Sequence, residues 1–181
     1  MKIHVRLASS SLLLATALLS GASPSEAQDK KVSLYAGYAY LRTDDGNLNG
    51  VRLSPEYRLN GLASVVADGS FEKGTLAGSS TTISTYMGGL RLHRSLGAAT
   101  VFVHGLAGSV RTSASVKPFG GVSISVSESH IGYDGGGGLE FKFKGAMKLR
   151  FGADYLRHKV DIAGGKTADQ SDIRASVGFV F

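Results

Sequence analysis

The last nine residues constrain this chain most. In Ile173-Arg174-Ala175-Ser176-Val177-Gly178-Phe179-Val180-Phe181, every second side chain (Ile173, Ala175, Val177, Phe179, Phe181) is apolar, and the row ends on an aromatic. Alternation with period two specifies a strand with two unlike faces, since successive side chains point to opposite sides of a sheet. Such a strand must bury or cover one whole row. A chain that closes this way needs a sheet for that strand to pair with.

The same alternation recurs along the chain. Residues 32–42 set Val32, Leu34, Ala36, Tyr38 and Tyr40 against Ser33, Tyr35, Gly37 and Ala39. Residues 50–59 are the clearest case, with Val51, Leu53, Pro55, Tyr57 and Leu59 opposite Arg52, Ser54, Glu56 and Arg58. Pro55 lacks a ladder donor, so a local defect is expected there. Further strands are expected over 62–72, 81–93, 99–111, 129–143, 147–159 and 172–181. The 99–111 segment is ambiguous in its facing, because both of its rows are apolar. Asn60-Gly61 reads as a two-residue type I′ hairpin turn. Short turns are also expected at 94–98 and 144–146. Longer loops are expected near 43–49, 73–80 and 160–171. The Ser, Val and Gly-rich stretch 112–126 is either a long loop or a hairpin projecting past the rest.

Eight strands with connections that alternate short and long fit an all-β fold: an eight-stranded antiparallel up-and-down transmembrane β-barrel. Strands of about 10 residues match a tilted crossing of a bilayer. The N-terminus agrees with export. Lys2 and Arg6 precede the apolar run 7–19, and Ser25-Glu26-Ala27 offers a small-x-small cleavage site. Residues 1–27 are therefore expected to be a cleaved signal peptide, and 28–181 a single barrel domain. No Cys follows the apolar run, which argues against a lipid-modified N-terminus, and a chain without Cys has no disulfide framework. The net charge of +6 would suit nucleic acid, but an exported chain with no Lys/Arg-rich run is not a nucleic-acid binder. Complementarity to anionic outer-leaflet lipid is the better reading.

Four stretches of sequence carry a family likeness. They are Val65-Val66-Ala67-Asp68-Gly69-Ser70-Phe71, Gly88-Gly89-Leu90-Arg91-Leu92, Phe102-Val103-His104-Gly105-Leu106, and Gly136-Gly137-Gly138-Leu139-Glu140 through Arg150-Phe151-Gly152-Ala153-Asp154-Tyr155. With the terminal Phe181, they resemble the small outer-membrane β-barrel family related to the OmpA transmembrane domain and OmpX. The likeness spans essentially all of residues 28–181. It implies location in the outer membrane of a Gram-negative cell envelope, contact with outer-membrane lipid and lipopolysaccharide, and recognition by the barrel-insertion machinery through Phe179 and Phe181. It implies no catalytic residue, cofactor or metal. The external binding partner stays open.

Chemistry is sparse in the residues themselves. If the apolar rows face lipid, then Arg52, Glu56, Arg58, Asp68, Arg91, Glu140, Arg150, Asp154 and Arg174 point inward. An eight-stranded barrel has room only for its own side chains, so these charges are expected to pair as a plug rather than line a gated path. His93, His104, His130 and His158 fall on different strands without metal-ligand spacing. His93-Arg94-Ser95 resembles the His-x-Ser of barrel lipid A deacylases, but it sits at a short turn, at the opposite end from where those enzymes work. Gly135-Gly136-Gly137-Gly138 is not followed by a helix, so it is read as close wall packing rather than a phosphate cradle. Tyr35, Tyr38, Tyr40, Tyr57, Tyr133, Tyr155, Phe179 and Phe181 read mostly as an interfacial girdle, with a few left to fill the core. The expected role is structural or surface-interactive, through the external loops, and not enzymatic. The competing readings are a lipid-modifying barrel enzyme, a narrow pore and a soluble periplasmic ligand-binding barrel.

Overall fold

The computed structural model describes residues 31–76, 79–116, 124–162 and 166–181. The expected signal peptide lies outside them. Eight strands follow one another: β1 (Val32–Thr43), β2 (Gly46–Arg58), β3 (Ala63–Leu76), β4 (Ser79–Leu96), β5 (Ala99–Val116), β6 (Ile124–Lys144), β7 (Met147–Ile162) and β8 (Lys166–Val180). Each pairs antiparallel with its sequence neighbour, and β8 returns to β1 to close the barrel. The closing ladder runs from Tyr35↔Val180 to Arg42↔Ile173. Phe181 extends it, its N–H donating to the Leu34 carbonyl at 3.0 Å. Closure leaves no open sheet edge along the paired wall.

The outward rows are the apolar ones. Val51, Leu53, Tyr57, Leu90, Phe151 and Val177 are exposed, and Leu92, Leu149 and Phe179 share their rows. In water such a belt would be far larger than a monomer tolerates; in lipid it is required. On β6 the outward apolar row runs from Phe143 to Ile131. At ~3.3 Å per residue and ~45° tilt this row is roughly 28 Å tall, close to the hydrocarbon band of such barrels. Aromatics gather at both borders. Tyr38, Phe71, Tyr86, Tyr133 and Tyr155 lie toward one end. At the other, Phe143 packs on Phe179 with centroids 5.4 Å apart, and Phe181 is exposed beside the terminus.

Several boundaries differ from the sequence expectation. The loop expected at 43–49 is a two-residue turn at 44–45, and β2 begins at Gly46. Strands likewise continue through most of 73–80 and 160–171, and β5 and β6 extend to Val116 and Ile124. These stretches are mostly polar or Gly, with isolated apolar residues such as Leu48, so no continuous apolar row announces a strand. Backbone pairing alone carries the ladder there, and Ser, Thr and Asn sit on either face in water. The Asn60-Gly61 type I′ turn does not form either. Residues 59–62 make a wider connection, in which Asn60 Oδ1 accepts from the N–H groups of Leu62 and Ala63, both at 2.8 Å. An Asx side chain that binds its own downstream backbone competes with the tight turn. The other two turns at this end are tight, with left-handed glycines at Gly97 (φ 67°) and Gly145 (φ 60°). The defect expected at Pro55 is present. The β2–β3 register reaches Leu53↔Gly69 and resumes at Glu56↔Val66, leaving Ser54 and Pro55 out of the ladder. An outward groove of about 420 Å³ opens there, lined by Leu53, Pro55, Ala67, Gly69 and Tyr86.

Candidate functional site

The inward rows deliver the charged side chains into the lumen, where they form two clusters. Nearer the end that carries Phe181, Glu56 accepts from Arg91 Nη1 at 2.5 Å and Arg150 Nη2 at 3.1 Å. Arg150 also donates to Glu140 Oε1 through Nε (2.8 Å) and Nη2 (2.5 Å), and Lys148 approaches Glu140 at 3.5 Å. Phe102 lies between the two guanidiniums, 4.8 Å from Arg91 and 5.0 Å from Arg150, and Tyr35 faces Arg150 at 5.1 Å. Cation–π stacking of this kind replaces lost hydration on the flat faces of Arg, which hydrogen bonds do not reach. Tyr35 is thus a core residue, 2 % exposed, and not part of the girdle.

The second cluster is larger. Arg52 bridges Asp68 (2.8 Å) and Asp154, and Ser54 donates to Asp68. Arg174, fully buried, bridges Glu72 and Asp134, each at 2.9 Å. His104 Nε2 stands between the bridges, 3.2 Å from Asp134 Oδ1 and 3.1 Å from Asp154 Oδ1. The register explains the meeting. His104, Gly136 and Asp154 fall side by side on β5, β6 and β7. A Cβ on Gly136 would lie 2.2 Å from Asp154 Oδ1. The glycine run therefore makes room for inward side chains, while Gly135, on the lipid side, meets nothing within 4 Å.

A layer that charge patterning does not announce caps this cluster. Leu41, Leu48, Ile83, Met87, Leu106, Val110 and Leu156 lie inside the barrel toward the long hairpins and form one buried apolar group with Val66, which stands on the other side of Asp68, opposite Glu56. Most occupy the continuation of rows that carry inward charges or His104 lower down: Leu48 follows Arg52, Ile83 and Met87 follow Arg91, Leu106 and Val110 follow His104, and Leu156 follows Asp154. For Met87 and Leu156 the signal is a large apolar residue on a row that also carries charges; for Leu106 and Val110 none exists, since both rows of 99–111 are apolar. Beyond it, His158 Nδ1 lies 3.7 Å from Asp172 Oδ2, and Gln170 donates to Asp172 at 3.0 Å.

All nine charges expected inside belong to inward rows, and eight are buried. Arg58, near the rim, is half-buried. In the His93-Arg94-Ser95 triplet His93 is buried inside, while Ser95, on the same row, is exposed at the end of β4. The hydroxyl near His93 is that of the fully buried Ser64, 3.4 Å from Nδ1, and Glu56 approaches the same nitrogen at 4.0 Å. A hydrolytic relay needs nucleophile and carboxylate on different ring nitrogens. This arrangement has them on one.

Outside, above the apolar band, the hairpins are polar. Ser109 pairs with Ser129 (2.8 Å), Ser113 with Ser127 (3.0 Å), and Arg111 Nε donates to Ser127 (2.8 Å). Exposed Arg42, Lys73, Arg111, Arg157 and Lys159 stand on outward rows just past Tyr40, Phe71, Ser109 and Tyr155. Exposed acids stand at this level too: Asp169, paired to Arg157 at 2.9 Å, and Asp44 and Asp45 in the β1–β2 turn.

Comparison with known proteins places this architecture. The crystal structure of Neisserial surface protein A superimposes with a TM-score of 0.63 at 16% identity, over 82% of this chain and 94% of that one. Ail, the attachment invasion locus protein of Yersinia pestis, gives 0.57 at 19% identity, over 85% of this chain and 100% of that one. A second structure of Ail, in complex with the heparin analogue sucrose octasulfate, gives 0.52 at 17% identity, over 83% and 96%. No curated protein matches this chain. These likenesses show a shared fold: the closed, eight-stranded antiparallel up-and-down barrel. Residues 11–181 match the outer membrane protein beta-barrel domain, which covers the closing strand, the charged lumen and the hairpins alike, and the chain therefore belongs to the outer-membrane β-barrel family.

Proposed function

We propose that this protein is a non-conducting outer-membrane barrel that works as a surface-interaction or structural element through its polar hairpins. The observation that carries the reading is the filled lumen. Two ion-pair clusters and an apolar layer toward the hairpins occupy the interior in series. A void of about 10 Å³ between Tyr35, Arg52, Phe102 and Asp154 has room for about one water. An ion crossing it would have to break several buried pairs at once, each costing about 3–5 kcal/mol when one partner is removed. The lumen thus acts as a strut, and the chain's accessible chemistry lies on the hairpins.

The basic positions above the band suit phosphorylated or sulfated glycans, and lipopolysaccharide in the outer leaflet is the nearest such partner. The complex of Ail with a heparin analogue makes the same chemistry available to a related fold. Residues 1–27 serve as a cleaved export signal in this reading, and Phe179 and Phe181 as the contact with the insertion machinery. The exposed apolar belt weighs against the soluble ligand-binding barrel.

The test is ion flux. Proteoliposomes holding the refolded barrel should release potassium no faster than empty liposomes. They should keep that behaviour when Arg42, Lys73, Arg111, Arg157 and Lys159 are changed to Gln, whereas retention of anionic glycan should fall. Stepwise single-channel currents from the intact protein would overturn the plugged reading in favour of a pore.

A further inference from the structure

The second lumen cluster does not balance its charges. It holds four carboxylates (Asp68, Glu72, Asp134 and Asp154) and two guanidiniums (Arg52 and Arg174). The buried groups of the first cluster balance at two and two, with Arg91 and Arg150 against Glu56 and Glu140. The deficit of two positive charges is therefore local, and a buried net charge is costly. One extra proton on His104 would supply half of it.

The hydrogen-bond geometry is also short by one. Nε2 of His104 carries a single hydrogen, yet two carboxylate oxygens face it at 3.2 and 3.1 Å. The contact with Asp134 Oδ1 is a hydrogen bond; Asp154 Oδ1 has none, although the residue is only 4 % exposed. Buried acceptors left this way point to a water or an ion. The three atoms lie within 4.8 Å of one another. Ligand atoms ~2.0–2.1 Å from a tetrahedral ion stand roughly 3.3 Å apart, so the two spacings to Nε2 already match edges of such a site.

We infer that His104 Nε2, Asp134 Oδ1 and Asp154 Oδ1 bind one divalent transition-metal ion inside the barrel. One imidazole and two carboxylates are the donor set of a borderline ion such as Zn²⁺. Its two charges bring the cluster to neutrality. Arg52 and Arg174 engage the remaining oxygens, Oδ2 of Asp154 and Oδ2 of Asp134, and so fix both carboxylates in the orientation that coordination requires. The one-water void borders His104 and Asp154 and can hold the fourth ligand. Gly136, between the two strands that carry those ligands, keeps the approach clear. The ligands are 20 and 30 residues apart, one on each of three successive strands, which is why no sequence motif reveals them. The site bolts β5, β6 and β7 together at mid-barrel and does not depend on whether the lumen conducts.

The test uses the full barrel refolded with Zn²⁺, then freed of loosely held metal by a weak chelator. About one equivalent of zinc should remain per folded barrel, and its loss to a strong chelator should lower the melting temperature, because metal binding is coupled to folding. His104→Gln should abolish retention, while His130→Gln/His158→Gln should leave it unchanged. X-ray absorption on the loaded parent should show one imidazole nitrogen among oxygen ligands. If His104→Gln fails to fold, the absorption spectrum decides. Retention below a tenth of an equivalent, retention lost only in the His130/His158 variant, or a shell with two or more imidazoles would each overturn the assignment.

Discussion

Arg174 offers the sharpest test of how the lumen is held. Its side chain is fully buried, and its two ion pairs reach Glu72 and Asp134 at 2.9 Å each. Arg174→Met keeps the length and much of the volume and removes the charge. Two carboxylates are then left in the barrel without their cation. Breaking a buried pair by removing one partner costs about 3–5 kcal/mol, most of it the penalty of the charge left behind. With a urea slope of ~2 kcal/mol/M, a loss of ~4 kcal/mol moves the unfolding midpoint down by roughly 2 M. The assay is reversible urea unfolding in lipid vesicles, followed by the migration difference between folded and unfolded barrel on unheated gels, with chelator present throughout so that metal does not contribute. Glu72→Gln alone leaves Arg174 paired with Asp134 and should cost less. In the double variant Arg174→Met/Glu72→Gln one of the two orphaned charges is gone, so the double should be more stable than the sum of the singles by about 0.5–3 kcal/mol. A cost below ~1 kcal/mol for Arg174→Met, or strict additivity in the cycle, would refute the claim that the lumen is held by desolvated ion pairs.

Leu53→Arg puts a charge on the lipid face and should cost about 2–4 kcal/mol in vesicle refolding, against at most ~0.5 kcal/mol for Lys159→Ala at an exposed site. Gly138→Ala would drive a Cβ to 2.0 Å from the Phe151 carbonyl and 2.8 Å from the Phe102 ring; the expected loss is about 1–3 kcal/mol. Gly135→Ala, in open space on the same strand, should be neutral or stabilise by up to ~1 kcal/mol in the same unfolding assay. Deleting Phe181 should lower the amount of barrel inserted in cells while the refolded variant melts close to the parent, since the residue is exposed and terminal; unchanged insertion would remove the assembly-signal reading.

The barrel was legible wherever one row of a strand was apolar. Val51, Leu53 and Tyr57 against Arg52, Ser54 and Glu56 specify both a strand and its facing, and the structure agrees at every one of these residues. Legibility stopped where the membrane stops. In 79–80 and 112–115 both rows are Ser, Thr and Ala, so alternation vanishes although the ladder continues from Ser80↔Ser115 downward. Composition alone cannot tell a paired polar strand from a loop, because in water either satisfies the backbone. Asn60-Gly61 failed for a different reason: the Asn side chain captured the N–H groups of Leu62 and Ala63, and a local hydrogen bond outweighed a turn preference.

The interior was legible in kind and not in order. Alternation assigns Arg52, Asp154 and Arg174 to the lumen, but says nothing about which carboxylate meets which guanidinium. Partner choice is set by the stagger between strands, and His104 meets Asp154 only because Gly136 stands between them in the register. The apolar layer follows from the same physics. Ion pairs strengthen as water is excluded, and the long hairpins open toward water at one end of the barrel. Leu41, Leu48, Ile83, Val110 and Leu156 occupy the lumen between that end and the Arg52–Arg174 cluster. They keep solvent off pairs that would be worth little if wet. Charge below and hydrocarbon above are one device: the apolar residues set the dielectric in which the charges hold the wall, and the charges hold the strands close enough for a thin apolar layer to stay dry.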